Sequence, residues 1–86
     1  MEPIQVLIID PEQTTRDQLR SALNVDQRVE LHLSSSAEGA AELLKRKTQW
    51  HVIILNSWLP GQDAFSFIQD WKERDSKTQF ILLRHF

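Results

Sequence analysis

The amino-acid sequence predicts an α/β domain on a parallel sheet, in the order β-α-β-α-β-α-β. Three observations carry that prediction. Short apolar runs rich in β-branched residues recur at Val6-Leu7-Ile8-Ile9, His51-Val52-Ile53-Ile54-Leu55 and Phe80-Ile81-Leu82-Leu83, as strands buried on both sheet faces require. The stretches between strands have helical spacing and lengths of about 10–12 residues, which implies right-handed crossovers onto one sheet. The chain has 86 residues, enough for one domain (residues 1–86) that hides roughly 60–65% of its unfolded surface.

Each element has its own signal. Residues 13–24 place Leu19, Ala22 and Leu23 on one face of a helix, with Arg16, Asp17 and Arg20 elsewhere. Val29-Glu30-Leu31-His32-Leu33 alternates apolar and polar residues, the pattern of an edge strand with one wetter face. Residues 36–47 open on a serine cluster suited to an N-cap and carry Ala37, Ala40, Ala41 and Leu44 as an inner stripe. Their last turn, Lys45-Arg46-Lys47, complements the negative end of the helix dipole. Asp63 can cap a third helix whose Phe65, Ile68 and Trp71 face inward, with Glu73 and Asp75 at its end.

Composition narrows the function. Ten Lys and Arg against twelve Asp and Glu give a net charge of −2, which supplies no basic footprint for nucleic acid or membrane. There is no cysteine, so disulfides and cysteine-ligated metal sites are excluded. No apolar run approaches the roughly 18 residues of a membrane span, and the N-terminus has no basic region of a signal peptide. A cytoplasmic location is expected. Two glycines, Gly39 and Gly61, cannot form a glycine-rich phosphate loop.

In a parallel sheet the working site lies beyond the carboxyl ends of the strands. Three polar residues follow strands here: Asp10, Asn56 and Arg84. A guanidinium at Arg84 either reaches Asp10 and Asn56 as a planar ionic partner or points into solvent. His32, His51 and His85 share no short motif and read as separate histidines without a metal. Of three tryptophans, Trp71 is expected under the sheet. Trp58 is expected in the loop after the third strand, as a contact anchor or partly packed there. No nucleophile–base arrangement can be assembled at one sheet edge, so no enzyme activity and no cofactor are expected.

At this point the chain resembles a response-regulator receiver domain. Ile4-Gln5-Val6-Leu7-Ile8-Ile9-Asp10 resembles the family's first strand and acidic pair, and Ser35 through Leu44 is similar to its second helix. Leu59-Pro60-Gly61-Gln62-Asp63 resembles the loop after the phosphoacceptor strand, and Lys77 through Leu83 the fourth strand. The resemblance implies a flavodoxin-like (CheY-like) sheet in the order 2-1-3-4-5, and phosphorylation of an aspartate aided by magnesium. The sequence departs at each chemical position. Asn56 stands at the phosphoacceptor, Pro11 at the second acidic residue and Arg84 at the hydroxyl residue. No counterpart of the fifth strand and its lysine is found.

The expected function is therefore a pseudo-receiver, working without phosphorylation through protein–protein contact, as the N-terminal part of a longer regulator. Two alternatives stand beside it: a receiver with an inactivating phosphosite substitution, and a small-ligand sensor using the degenerate pocket. With the fourth strand at a bare edge, Phe80, Leu82 and Phe86, together with Trp58, are interface candidates. The partner is a protein or a second copy pairing its fourth strand across a two-fold axis. A truncated chain whose remainder lies elsewhere explains the same edge.

Overall fold

The computed structural model describes residues 2–46 and 49–84. Strand β1 (Ile4–Ile9) leads into helix α1 (Gln13–Leu23), β2 (Val29–Ser34), α2 (Ala37–Leu44) and β3 (Val52–Asn56). A short hairpin of β4 (Trp58–Leu59) and β5 (Gln62–Asp63) follows, then α3 (Ala64–Arg74) and β6 (Gln79–Leu83). The main sheet is parallel, in the order β2-β1-β3-β6. The alternating segment is the edge strand β2, as its pattern requires, and the sequence's fourth strand is β6 at the opposite edge.

The sheet separates two cores. On one face Leu7, Ile9, Ile53 and Leu55 pack against Ala37, Ala40 and Leu44 of α2 and Ala64 and Phe67 of α3. Trp50 joins this core, almost completely buried, with its indole N–H donating to the Leu44 carbonyl and its ring edge-on to His32 at 4.9 Å. On the other face Val6, Ile8 and Ile54 meet Leu19 and Leu23 of α1. Continuous apolar runs are thus explained by burial from both sides.

Local chemistry sets the helix ends. Ser36 caps α2, its hydroxyl accepting from the Gly39 N–H at 3.0 Å. Asp63 caps α3 by accepting from the Phe65 N–H. Between β4 and β5, Pro60 precedes Gly61, whose φ of 79° is the left-handed value that the third residue of a type II turn demands. The sequence shows only a loop there; the pairing of Trp58 with Asp63 and Leu59 with Gln62 makes it a hairpin.

Some expectations need correction. Phe65, expected inward, is 63% exposed, and Phe67 takes the buried place because α3 begins at Ala64 and turns that side to the sheet. Ala22 and Ala41 are also exposed. Helix α2 ends at Leu44, earlier than the residue-47 end that composition suggests; Lys47 is outside the described residues.

Candidate functional site

The sheet order reverses between β1 and β3, and a crevice at the carboxyl ends of those strands is the natural site of this topology. Asp10 follows β1 there and is fully buried; Asn56 ends β3 and is 2% exposed. Asp10 is held in place by its own backbone N–H donating to the Ser34 carbonyl. Its Oδ1 accepts from the Glu12 N–H at 2.8 Å, and its Oδ2 accepts from Asn56 Nδ2 at 3.2 Å. Asn56 Oδ1 in turn accepts from the Trp58 N–H at 2.8 Å. A carboxylate can only accept and a backbone N–H can only donate, so the two neighbours determine which end of the amide faces which.

The result is a closed relay from the end of β1, through Asn56, to the start of the β4–β5 hairpin. Arg16, on the first turns of α1, donates from Nη1 to the Asp10 main-chain carbonyl at 2.6 Å. Nothing in the sequence singles out Arg16, because its role depends on α1 folding back over the Asp10–Glu12 turn. Beside the relay lies a mainly apolar hollow of about 360 Å³, walled by Pro11 and Trp58 with Asn56, Ser57 and Glu12 around it. Trp58 is 68% exposed at its mouth.

Of the residues the sequence placed at this edge, the structure brings Asp10 and Asn56 into contact. Arg84 is exposed after β6, which does not fit a guanidinium buried against the fully buried Asp10. Phe80 and Leu82, named as interface residues, are half-buried against the α3-side core. The exposed apolar residue of β6 is Ile81, at 49%, because alternate strand residues face opposite sides. Phe86 and His85 lie outside the described residues. His32 and His51, which no sequence motif links, both meet Gln5. His32 Nε2 is 2.9 Å from Gln5 Oε1, and His51 Nδ1 accepts from the Gln5 N–H at 2.9 Å.

The donor set does not fit a magnesium ion. This ion prefers several hard oxygens in octahedral array, whereas Asp10 supplies one carboxylate and Pro11 none. The Asn56 amide turns its N–H group to Asp10 and its oxygen to the Trp58 N–H. Among the described residues no three His, Cys, Asp or Glu side chains cluster to hold a metal. An amide also lacks the nucleophilic carboxylate that an acyl phosphate requires.

The fold is that of response-regulator receiver domains. Over 96% of the chain it superposes with a TM-score of 0.88 on the signal receiver domain of an HD domain-containing protein from Pseudomonas fluorescens, at 22% identity. A response-regulator receiver domain from Clostridium thermocellum matches 94% of the chain at 20% identity and TM-score 0.84. The beryllofluoride-activated receiver domain dimer of NtrC4 matches 91% at 24% identity and TM-score 0.80. The chain spans 65%, 64% and 63% of these three structures. No family model matches the chain, and no curated protein matches its sequence. Among the described residues, no helix is long and apolar enough to cross a membrane.

Proposed function

We propose that this chain is a signalling domain of receiver type that works without phosphorylation, through protein–protein contact. The observation that carries the reading is the closed Asp10–Asn56–Trp58 relay. In it an uncharged amide satisfies the buried carboxylate and fixes the hairpin, so neither a cation nor a phosphoryl group is needed to set the loop. A second copy is the favoured partner, docking β6 against β6 across a two-fold axis. That pairing would satisfy the free edge of the described sheet and cover Ile81. Trp58 is a further contact anchor at the sheet's carboxyl edge.

Two measurements test this. Incubation with acetyl phosphate, or with beryllofluoride, in the presence of magnesium should leave the intact mass and the tryptophan emission unchanged. A phosphorylated product overturns phosphorylation independence. Light scattering on a sizing column across a concentration series should show a dimer that Ile81→Lys converts to a folded monomer. A monomer at every concentration, or a dimer indifferent to Ile81→Lys, removes the β6 interface. The alternative of a receiver silenced at one position predicts that Asn56→Asp alone restores phosphorylation, despite Pro11.

A further inference from the structure

An asparagine followed by a small residue has a chemistry of its own. The backbone nitrogen of the next residue can attack the side-chain carbonyl carbon, expel ammonia and close a five-membered imide. The chain has two asparagines, Asn24 and Asn56. Asn24, at the C-cap of α1, is exposed but precedes Val25, whose branched β-carbon crowds the attacking nitrogen. Asn56 precedes Ser57, which leaves that nitrogen uncrowded. The more reactive pair is therefore the buried one.

The fold holds this pair apart in three ways. The Ser57 N–H donates to the Leu83 carbonyl of β6 at 2.7 Å, so the nitrogen is engaged across the β3–β6 seam. The Asn56 amide is fixed at both ends, by Asp10 Oδ2 and by the Trp58 N–H. Asn56 also ends a strand and is almost completely buried, whereas ring closure needs the backbone turned out of the extended form and water to finish the reaction. The Ser57 restraint depends on β6 alone. That strand lies at a sheet edge, and among the described elements only β3 pairs with it. No residue of β6 is fully buried, whereas most of β1 and β3 is. A strand with so little burial opens more readily than the central pair.

We propose that Asn56 is a deamidation site gated by β6. When β6 leaves β3, the Ser57 nitrogen is released from Leu83 and forms a bond to Asn56 Cγ. The Cγ–Nδ2 bond breaks, the Ser57 N–H proton passes through solvent to the departing nitrogen, and ammonia leaves. Water then opens the imide at one carbonyl or the other, giving aspartate or isoaspartate. Either product sets a second carboxyl beside buried Asp10 in place of the amide donor, so the original relay does not re-form. Opening of the β3–β6 seam is thus recorded irreversibly. The gate rests on this seam and the Asn56 contacts, and it holds whether or not the domain pairs with a partner.

The test is incubation in weakly alkaline buffer, native and in urea, with peptide mapping by mass spectrometry to score both asparagines. In urea Asn56 should deamidate faster than Asn24; in the native protein the order should reverse. Leu82→Ala, which loosens β6 from the α3-side core, should raise the native rate at Asn56 about tenfold and speed hydrogen exchange of the Ser57 amide in step. Leu31→Ala on the opposite edge strand should raise neither comparably. Circular dichroism and melting temperature verify folding, and Phe80→Leu replaces Leu82→Ala if that variant is unfolded. An unreactive Asn56 in urea, or a native rate equal to that in urea, overturns the proposal. Equal acceleration by Leu31→Ala and Leu82→Ala would make the opening global and overturn the β6 gate, as would faster Ser57 exchange without faster deamidation.

Discussion

Replacing Asn56 by aspartate puts two carboxyl groups where the structure has an amide donating to a carboxylate at 3.2 Å. With both ionised, the repulsion at that distance and an effective dielectric of about 20 is about 5 kcal/mol. Keeping one proton on the pair avoids it, as in paired catalytic aspartates. Holding that proton at pH 7 on a carboxyl with an ordinary pKa near 3.9 costs about 4 kcal/mol, at about 1.36 kcal/mol per pH unit. The cheaper route sets the penalty. The folded pair takes up its proton more tightly than the unfolded chain, so the variant's deficit shrinks as pH falls and grows as pH rises. Relative to the parent, Asn56→Asp should lose about 1.5 kcal/mol at pH 5.0 and about 3 kcal/mol more at pH 7.5. Such a loss is a large share of the roughly 4–13 kcal/mol that a domain of this size holds. Urea unfolding followed by tryptophan emission, in EDTA, reads both values, with the double variant Asp10→Asn/Asn56→Asp, which restores one amide and one carboxyl to the pair, as the control that lacks the carboxyl–carboxyl repulsion. An Asn56→Asp penalty equal at the two pH values, or below about 0.5 kcal/mol at both, refutes the coupling of the two side chains. If magnesium in place of EDTA removes the penalty, the substitution has rebuilt a cation site and the single-substitution reading of this receiver is favoured.

Two more outcomes are expected. Alanine for Gly39, which ordinarily adds about 1 kcal/mol inside a helix, should instead destabilise, because its Cβ would sit 2.7 Å from Ser34 Oγ, which donates to the Ser36 carbonyl at 2.8 Å. In a Ser34→Ala background the same change should become stabilising; a raised melting temperature for Gly39→Ala alone contradicts the steric argument. Asp26 is held down to about 2, first by the side-chain hydrogen bond from Arg28 and then by that residue's backbone N–H. Its lowered value means that the pair's contribution is present above about pH 4 and lost as pH falls through about 2. Arg28→Ala should therefore reduce stability slightly at neutral pH and low salt, and by much less near pH 2, where about half of Asp26 is protonated. An effect undiminished at pH 2 rules out the ion pair as its source.

The sequence by itself determined the order of the main strands and helices, because strand and helix periodicities differ and each run is bounded by polar residues. It determined that β2 would be an edge strand, since alternation survives only where one face stays wetter. It also placed Asp10 and Asn56 at one end of the sheet, because both directly follow apolar runs that a parallel sheet aligns. Only the tertiary structure decided what those residues do there. The Asn56 amide faces Asp10 on one side and the Trp58 N–H on the other, and Arg16 bonds the Asp10 carbonyl. These contacts depend on how β1, β3 and α1 meet at sub-ångström precision, and no local pattern encodes such a meeting. The same limit explains Phe65 and Phe67. Both are apolar and two positions apart, and only the rotation of α3 against the sheet sends Phe67 inward and leaves Phe65 in water. On β6 the sheet's pleat made the equivalent choice, turning Phe80 and Leu82 to the core and leaving Ile81 exposed.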